Sequence, residues 1–219
     1  MICRSVSIAI FCLVSSVVNA AEEPSMTDLF KYRFYFGAEG GYGSSTWGGL
    51  VPTLDKQNTA INISMPTYVH EGGDVWGGFF GYELTPYFAL EASYMRYPNA
   101  KVLFDKDSLF AFEHDDRISF ETKTAQASIL AKVMLAIPET KYRVYSGAGI
   151  AKVYRWDEIN DQSRVSPTFG VGVNYILTPR IMLEIGGNYT AGYGESELNP
   201  IQDYVPFLYS VFLRAAVRV

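Results

Sequence analysis

Cysteine is nearly absent from this sequence of 219 residues, which contains only two. Both of them, Cys3 and Cys12, lie in the first twenty residues. If that segment is removed, as argued below, the remaining chain holds no thiol. That excludes a disulfide framework, a thiolate metal site and a cysteine nucleophile, so packing and hydrogen bonding alone must hold the fold.

Clusters of basic residues and long apolar runs are also lacking. The formal net charge is −5 and no basic cluster occurs, so we do not expect a nucleic-acid partner. After residue 20, no uninterrupted apolar run is long enough for a transmembrane helix. Such a chain can enter a membrane only as a closed β-barrel, because open sheet edges are not tolerated in hydrocarbon.

The first twenty residues have the features of a secretory signal peptide. Arg4 precedes an apolar stretch over 6–18, and Val18-Asn19-Ala20 resembles a small-residue cleavage site. We predict a cleaved signal peptide over 1–20, with the cut between Ala20 and Ala21. A short periplasmic lead over 21–31 and a single domain over 32–219 follow.

A ribbon of two alternating strands at 77–95 shows the design of that domain. Its faces are Phe80, Tyr82, Leu84, Leu90, Ala92 and Tyr94 on one side, and Gly77, Gly81, Glu83, Glu91 and Ser93 on the other. Successive strand side chains point to opposite faces, so one side is apolar and the other is small or charged. Thr85-Pro86-Tyr87 forms the turn, because proline cannot extend a central strand.

The same alternation recurs along the chain. The second strand of the ribbon continues toward residue 104, and a return strand starts at 109. Further strands are predicted over 32–43, 122–137, 143–156, 166–177, 181–189 and 207–219. Short turns near 85, 139 and 179 alternate with longer loops near 58, 107, 161 and 198, which is typical of bacterial outer-membrane barrels. The predicted fold is all-β: an eight-stranded antiparallel up-and-down transmembrane β-barrel.

The distribution of aromatic residues indicates which face points outward. A soluble ligand-binding barrel would turn its apolar face inward, whereas a membrane barrel turns it toward lipid. The apolar face carries a candidate aromatic girdle near the strand ends: Tyr42, Tyr82, Tyr94, Tyr154, Trp156, Tyr175 and Tyr189. The opposite face is small or charged, which suits a narrow interior. Lys152 falls on the lipid face, where its side chain snorkels to the rim or a bulge shifts the register.

Two segments resemble hairpins of the outer-membrane protein A family. GGFFGYELTPYFALEASY resembles that family's second strand, turn and third strand, and SPTFGVGVNYILTPRIMLEI resembles its sixth strand, turn and seventh strand. The resemblance covers 32–219 and implies the same barrel. Because the sequence ends at Val219, we expect the barrel domain only, without the family's peptidoglycan-binding domain.

The resemblance also implies an interior salt-bridge cluster that closes the lumen. Glu91 and Lys132 match two of its positions, whereas Asn174 stands where the family has an acid and Glu184 where it has a base. We therefore expect a rewired cluster. Its candidate members are Glu39, Glu91, Lys132, Glu184 and Arg214. A Glu91–Lys132 pair is expected, and Arg214 would neutralise Glu184 or Glu39. The cluster is either a gate for small ions or charge-satisfied filling.

These patterns predict a non-enzymatic structural barrel in the outer membrane. It would lie as a monomer among outer-membrane lipids and lipopolysaccharide, with loops 44–73 and 98–117 contacting a host or surface protein in adhesion. Apolar residues beyond the expected bilayer form the candidate contact surface: Val102, Leu103, Phe104, Leu109, Phe110 and Phe112. The alternative is that they pack on each other or on the first loop.

Two other functions are kept as alternatives. A narrow, low-conductance porin-like channel is one, although an eight-stranded barrel is only wide enough for its own side chains. A lipid A-modifying or surface-protease enzyme is the other. It would need a histidine near a serine or an acid, and the two histidines, His70 and His114, lie beside acids. No Ser-His signature is present, so we expect no catalytic residue, cofactor or metal.

Overall fold

The computed structural model describes residues 31–47, 66–159, 161–193 and 204–219. The predicted signal peptide, its cleavage site at Ala20 and Ala21, and most of the predicted lead lie outside these ranges. Within them, no helix is long and apolar enough to cross a membrane.

Eight long strands close into a barrel. The elements are β1 Phe34–Ser45, β2 Tyr68–His70, β3 Gly73–Thr85, β4 Phe88–Arg96, β5 Ala100–Leu103, α1 Leu109–Glu113, β6 Ser119–Ala136, β7 Tyr142–Trp156, β8 Asp161–Thr178, β9 Ile181–Thr190 and β10 Leu208–Arg218. Antiparallel pairing runs β1–β3–β4–β6–β7–β8–β9–β10, and β10 pairs back with β1. This confirms the predicted eight-stranded antiparallel barrel. β2 and β5 extend the sheet from the first part of β6.

The barrel is polar inside and apolar outside. Phe80, Ile150 and Val211 are more than half exposed on the outer face, whereas Lys132 and Arg214 are buried on the inner one. Such a surface is suited to hydrocarbon, because a closed sheet pairs the backbone groups of its strands with one another and leaves no open edge.

Both Thr-Pro turns use the same hydrogen bonds. Thr85 Oγ1 accepts from the backbone N–H groups of Tyr87 and Phe88 at 3.2 and 3.0 Å. Thr178 Oγ1 accepts likewise from Arg180 and Ile181 at 3.3 and 3.0 Å. The threonine hydroxyl replaces backbone acceptors that a tight turn cannot supply, and the register shifts beside each turn.

Three expectations about the long-loop end are wrong. The predicted return strand at 109 is the helix α1, because the Ser108 hydroxyl accepts from the Ala111 N–H and caps a helical turn. The predicted loop at 44–73 contains β2. The loop expected around 161 is shorter, because β7 and β8 pair as far as Trp156 and Asp161. Gln162, Ser163 and Arg164 at this hairpin end are all polar, so the apolar alternation that marks a strand is lost there.

Candidate functional site

The middle of the lumen is occupied by the five charged residues of the sequence-derived cluster. They come from five strands, because each lies at an inward position of its own alternation. The β1–β10–β9 register places Glu39, Arg214 and Glu184 in one row, and Glu91 and Lys132 enter from β4 and β6. All five are buried. We call them the central cluster.

Arg214 joins all three carboxylates of the central cluster. Its Nε donates to Glu39 Oε2 at 2.5 Å, and its Nη1 donates to Glu91 Oε1 at 2.7 Å and to Glu184 Oε1 at 2.8 Å. The guanidinium also stacks near the rings of Phe79 and Phe212, at 4.7 and 4.1 Å. A planar cation with several donors is suited to bridging carboxylates in this way.

Lys132 supplies the second cation. Its Nζ lies 2.6 Å from Glu91 Oε2 and 3.3 Å from Glu184 Oε2, and 4.1 Å from the Tyr145 ring centroid. Two phenols add donors: Tyr145 Oη donates to Glu184 at 2.6 Å and Tyr35 Oη to Glu91 at 3.0 Å. The structure thus brings together every pair expected from the sequence. The two tyrosines, which sequence reasoning missed, lie at inward positions beside small or charged residues.

A second charge cluster closes the lumen at the short-turn end. Glu83 accepts from Arg143 Nη2 at 2.8 Å and from Arg218 Nη2 at 2.7 Å, and all three residues are buried. The strand alternation placed Glu83 and Arg218 on the inner face, but their pairing with Arg143 was not predicted. The central cluster has one carboxylate in excess and this cluster has one guanidinium in excess.

The long-loop end is closed by an aromatic and ionic cap. Arg155 Nε lies 2.7 Å from Asp157, its Nη1 donates to the Tyr204 carbonyl at 2.8 Å, and its guanidinium lies 4.6 Å from the Trp47 ring. Tyr204 Oη donates to the Thr46 carbonyl at 2.5 Å. Burial raises the pKa of Tyr204 to about 12.

Half of the predicted apolar contact surface is buried in this cap, so that expectation is wrong for three of its six residues. Val102, Phe104 and Phe110 are 1, 4 and 2% exposed. They pack with Trp47, Ala100, Phe120 and Tyr204 in one cluster, and the rings of Phe104 and Phe110 stack at 4.2 Å. Val102, Phe104 and Phe110 therefore follow the alternative given above, in which the apolar residues pack on each other. Leu103 is half-buried, the Leu109 side chain is outside the description, and Phe112 is 84% exposed.

The seven girdle residues lie on the outer face at both rims. Tyr82 and Tyr175 are at the short-turn end, and Tyr175 packs on Tyr142 with ring centroids 5.0 Å apart. The other five lie at the long-loop end: Tyr42, Tyr94, Tyr154, Trp156 and Tyr189. Aromatic residues at two levels are the expected pattern for two membrane–water interfaces.

Both histidines lie at the long-loop end of the barrel. His70 lies in β2 opposite Lys101, and the His114 ring stacks on Phe110 at 4.4 Å while its Nδ1 lies 2.8 Å from the Phe110 carbonyl. In the described part of the chain, neither forms a hydrogen bond with a serine or a carboxylate. No group of three or more His, Cys, Asp and Glu residues there could hold a metal ion.

A closed antiparallel barrel with an apolar outer face and a charged interior defines a transmembrane β-barrel of the outer-membrane type. Residues 9–203 match the family described as outer membrane protein β-barrel domain. The chain belongs to this family, and the resemblance to outer-membrane barrels noted in the sequence is confirmed. No curated protein matches the sequence.

Three solved outer-membrane barrels share the fold. Neisserial surface protein A is 15% identical, with a TM-score of 0.52, and the match covers 85% of this chain and 97% of that one. The N-terminal barrel domain of OprF from Pseudomonas aeruginosa is 14% identical, with a TM-score of 0.50, and 86 and 98% coverage. OprG from the same organism is 14% identical, with a TM-score of 0.52, and 84 and 96% coverage. This likeness shows the fold, whereas the family match supports an outer-membrane location.

Proposed function

We propose that this protein is a non-enzymatic, structural barrel of the outer membrane with a sealed lumen and an ordered external cap. One observation carries the proposal: Arg214 on β10 bonds to carboxylates from β1, β4 and β9 at once. A side chain that bonds to both neighbouring strands and to a non-adjacent strand of an eight-stranded barrel leaves little room for a permeating ion.

The energetic argument favours filling over gating. Taking charges out of water is costly, and removing one partner of a buried pair is destabilising by about 3–5 kcal/mol. Opening a path through the central cluster would break several such contacts of Arg214 and Lys132 together. The second cluster around Glu83 and the cap around Arg155 close the lumen again at each end.

The narrow porin-like channel is the competing function, and conductance separates the two. Purified protein in a planar bilayer should show no steady channels. The Lys132→Ala/Arg214→Ala variant should conduct, because the lumen then loses both central cations and their bulk. A Lys101→Ala/Lys106→Ala variant is the matched control, since it removes two exposed cations near the cap. Steady wild-type channels that Glu91→Ala alters would replace the sealed barrel with the channel.

For contact with the outside, we propose α1 as the presented element. The cap core holds this helix in place while Phe112 projects into solvent. The helix α1 lies within the loop 98–117. The loops 44–73 and 98–117 are the surface that we propose for a host or surface protein in adhesion. The enzyme alternative has no supporting geometry. Activity on lipid A or a surface protein that a His70→Ala/His114→Ala variant abolishes would revive it.

A further inference from the structure

An apolar groove of about 480 Å³ crosses the outer surface of the barrel from β3 to β8. Its floor is made of the small residues Gly78, Ala92 and Ala127. The sheet register sets a larger residue beside each of them: Tyr94 lies between Gly78 and Ala127, and Ala92 lies between Phe80 and Ile129. The groove is therefore a depression in the lipid-facing surface between these larger side chains.

Lys152 borders this groove. The β6–β7 register pairs it with Ala127 without interruption, so no bulge turns it inward. Its Nζ lies 5.2 Å from the Tyr154 ring centroid, and it forms no ion pair within the described residues. Lys152 follows Tyr142 by ten residues, which puts it roughly 25 Å farther along the barrel axis, at the external edge of the apolar band.

Arg96 is a second cation on the same face. It lies two residues beyond Tyr94 on β4 and pairs with Trp76 and Ala125 across the sheet. β4 and β7 are separated by one strand, so the two cations are roughly 10 Å apart around the barrel. Arg96 likewise forms no ion pair among the residues that the structure describes. Two unpaired cations above an apolar groove are complementary to an amphiphile with two anionic groups.

We infer that this groove binds one phosphorylated glycolipid of the outer leaflet, the lipid A part of lipopolysaccharide. An acyl chain lies over Gly78, Ala92 and Ala127, and the sugar phosphates contact Lys152 and Arg96. This inference rests on the outer-membrane location proposed above. Cations at a membrane surface each strengthen binding to anionic lipid, and the groove adds selectivity for a chain attached beside the phosphates.

A second groove provides an internal comparison. It has a volume of about 620 Å³ and crosses the barrel wall on another side, over Ala38, Ala215 and Leu183. Its outward side chains are apolar or tyrosine, with Tyr142 and Tyr175 at its short-turn edge. Since it lacks an outward cation, it has nothing to bind a phosphate.

The test is lipid retention by the purified barrel in phosphatidylcholine nanodiscs, measured by mass spectrometry after incubation with diphosphoryl lipid A. The Arg96→Ala/Lys152→Ala variant should retain less by on the order of tenfold, whereas Lys101→Ala/Lys106→Ala should match wild type. Dephosphorylated lipid A lacks the groups that Arg96 and Lys152 contact, so the wild-type protein should retain no more of it than the Arg96→Ala/Lys152→Ala variant does. If the double cation variant lost equal fractions of its retention of lipid A and of phosphatidylglycerol, the inference would be overturned, because the two cations would then act only as surface charge that attracts any anionic lipid.

The groove itself is tested with both cations in place. Ala127→Phe fills it and should lower lipid A retention, and Ala215→Phe fills the second groove and should not. Unchanged retention in Ala127→Phe or in the double cation variant would overturn the inference. A shift in gel mobility between unboiled and boiled samples reports folding of each variant. Absence of wild-type protein from the outer-membrane fraction would instead contradict the proposed function.

Discussion

At the scale of single residues, Arg214 is the side chain on which the interior depends most. It neutralises carboxylates from three strands, and Lys132 reaches only two of them. Arg214→Ala would leave Glu39 buried without a cation. We expect a loss of about 3–5 kcal/mol in the free energy of unfolding, measured by urea unfolding in lipid vesicles. Arg180→Ala, at an exposed turn, is the control and should change stability little. A loss of equal size in both variants would contradict a special role of Arg214.

Tyr204 should make the cap sensitive to alkali. Burial raises its pKa to about 12 from the ordinary 10.0. A raised folded-state pKa means that the neutral phenol stabilises the cap fully below pH 10, and that this stability is lost as pH rises through about 12. The measurement is Trp47 fluorescence in a Trp76→Phe/Trp156→Phe background. Tyr204→Phe keeps the ring against Trp47 and should remove the transition; a transition that persists would assign it to another group.

At the scale of elements, the strands and their faces could be predicted because a lipid-facing wall enforces period-two alternation. Phe80, Tyr82 and Leu84 are exposed to lipid where the alternation placed them. The strand β8, Asp161–Thr178, was predicted too short. Its first part contains Gln162, Ser163 and Arg164, so both faces of the strand are polar there and show no alternation. The helix at Leu109–Glu113 depends on one capping hydroxyl. The burial of Phe104 and Phe110 depends on how β5 folds over the barrel end, which local periodicity does not encode.

Close strand approach explains why several inward positions are glycine. A Cβ at Gly149 would lie 1.9 Å from the Ile129 carbonyl oxygen across β6–β7. Gly149→Ala must therefore separate the two strands, with an expected loss of about 1–3 kcal/mol in urea unfolding. At Gly40 the nearest atom is the Val75 carbonyl oxygen at 3.7 Å, so Gly40→Ala is the control. Equal stability of the two variants would show that the sheet accommodates a methyl group at Gly149.

At the scale of the whole molecule, the protein consists of a barrel stabilised for lipid and a cap stabilised for water. Inside the barrel, buried cations and carboxylates are paired at two levels. The cap instead has a hydrophobic core beyond the membrane, built around Trp47, Phe110 and Phe120. These two regions share β6, whose first residues pack in the cap and whose remaining residues form the barrel wall.

Because their stabilising interactions differ, the cap should open without unfolding the barrel. Phe110 and Phe112 lie on the same short helix, yet they are 2 and 84% exposed. Phe110→Ala removes a buried ring, a change that costs about 3–5 kcal/mol in a packed core, and should expose residues 105–117 to limited proteolysis. The variant should still show the boiled-against-unboiled mobility shift, since the barrel ion pairs are untouched.

Phe112→Ala is the matched control and should leave protease resistance at the wild-type level, while lowering any binding of a surface partner to α1. Loss of the mobility shift in Phe110→Ala would mean that the cap and the barrel unfold as one unit. The cap core would then have to be counted among the interactions that hold the barrel closed, since a two-state molecule cannot lose one region alone.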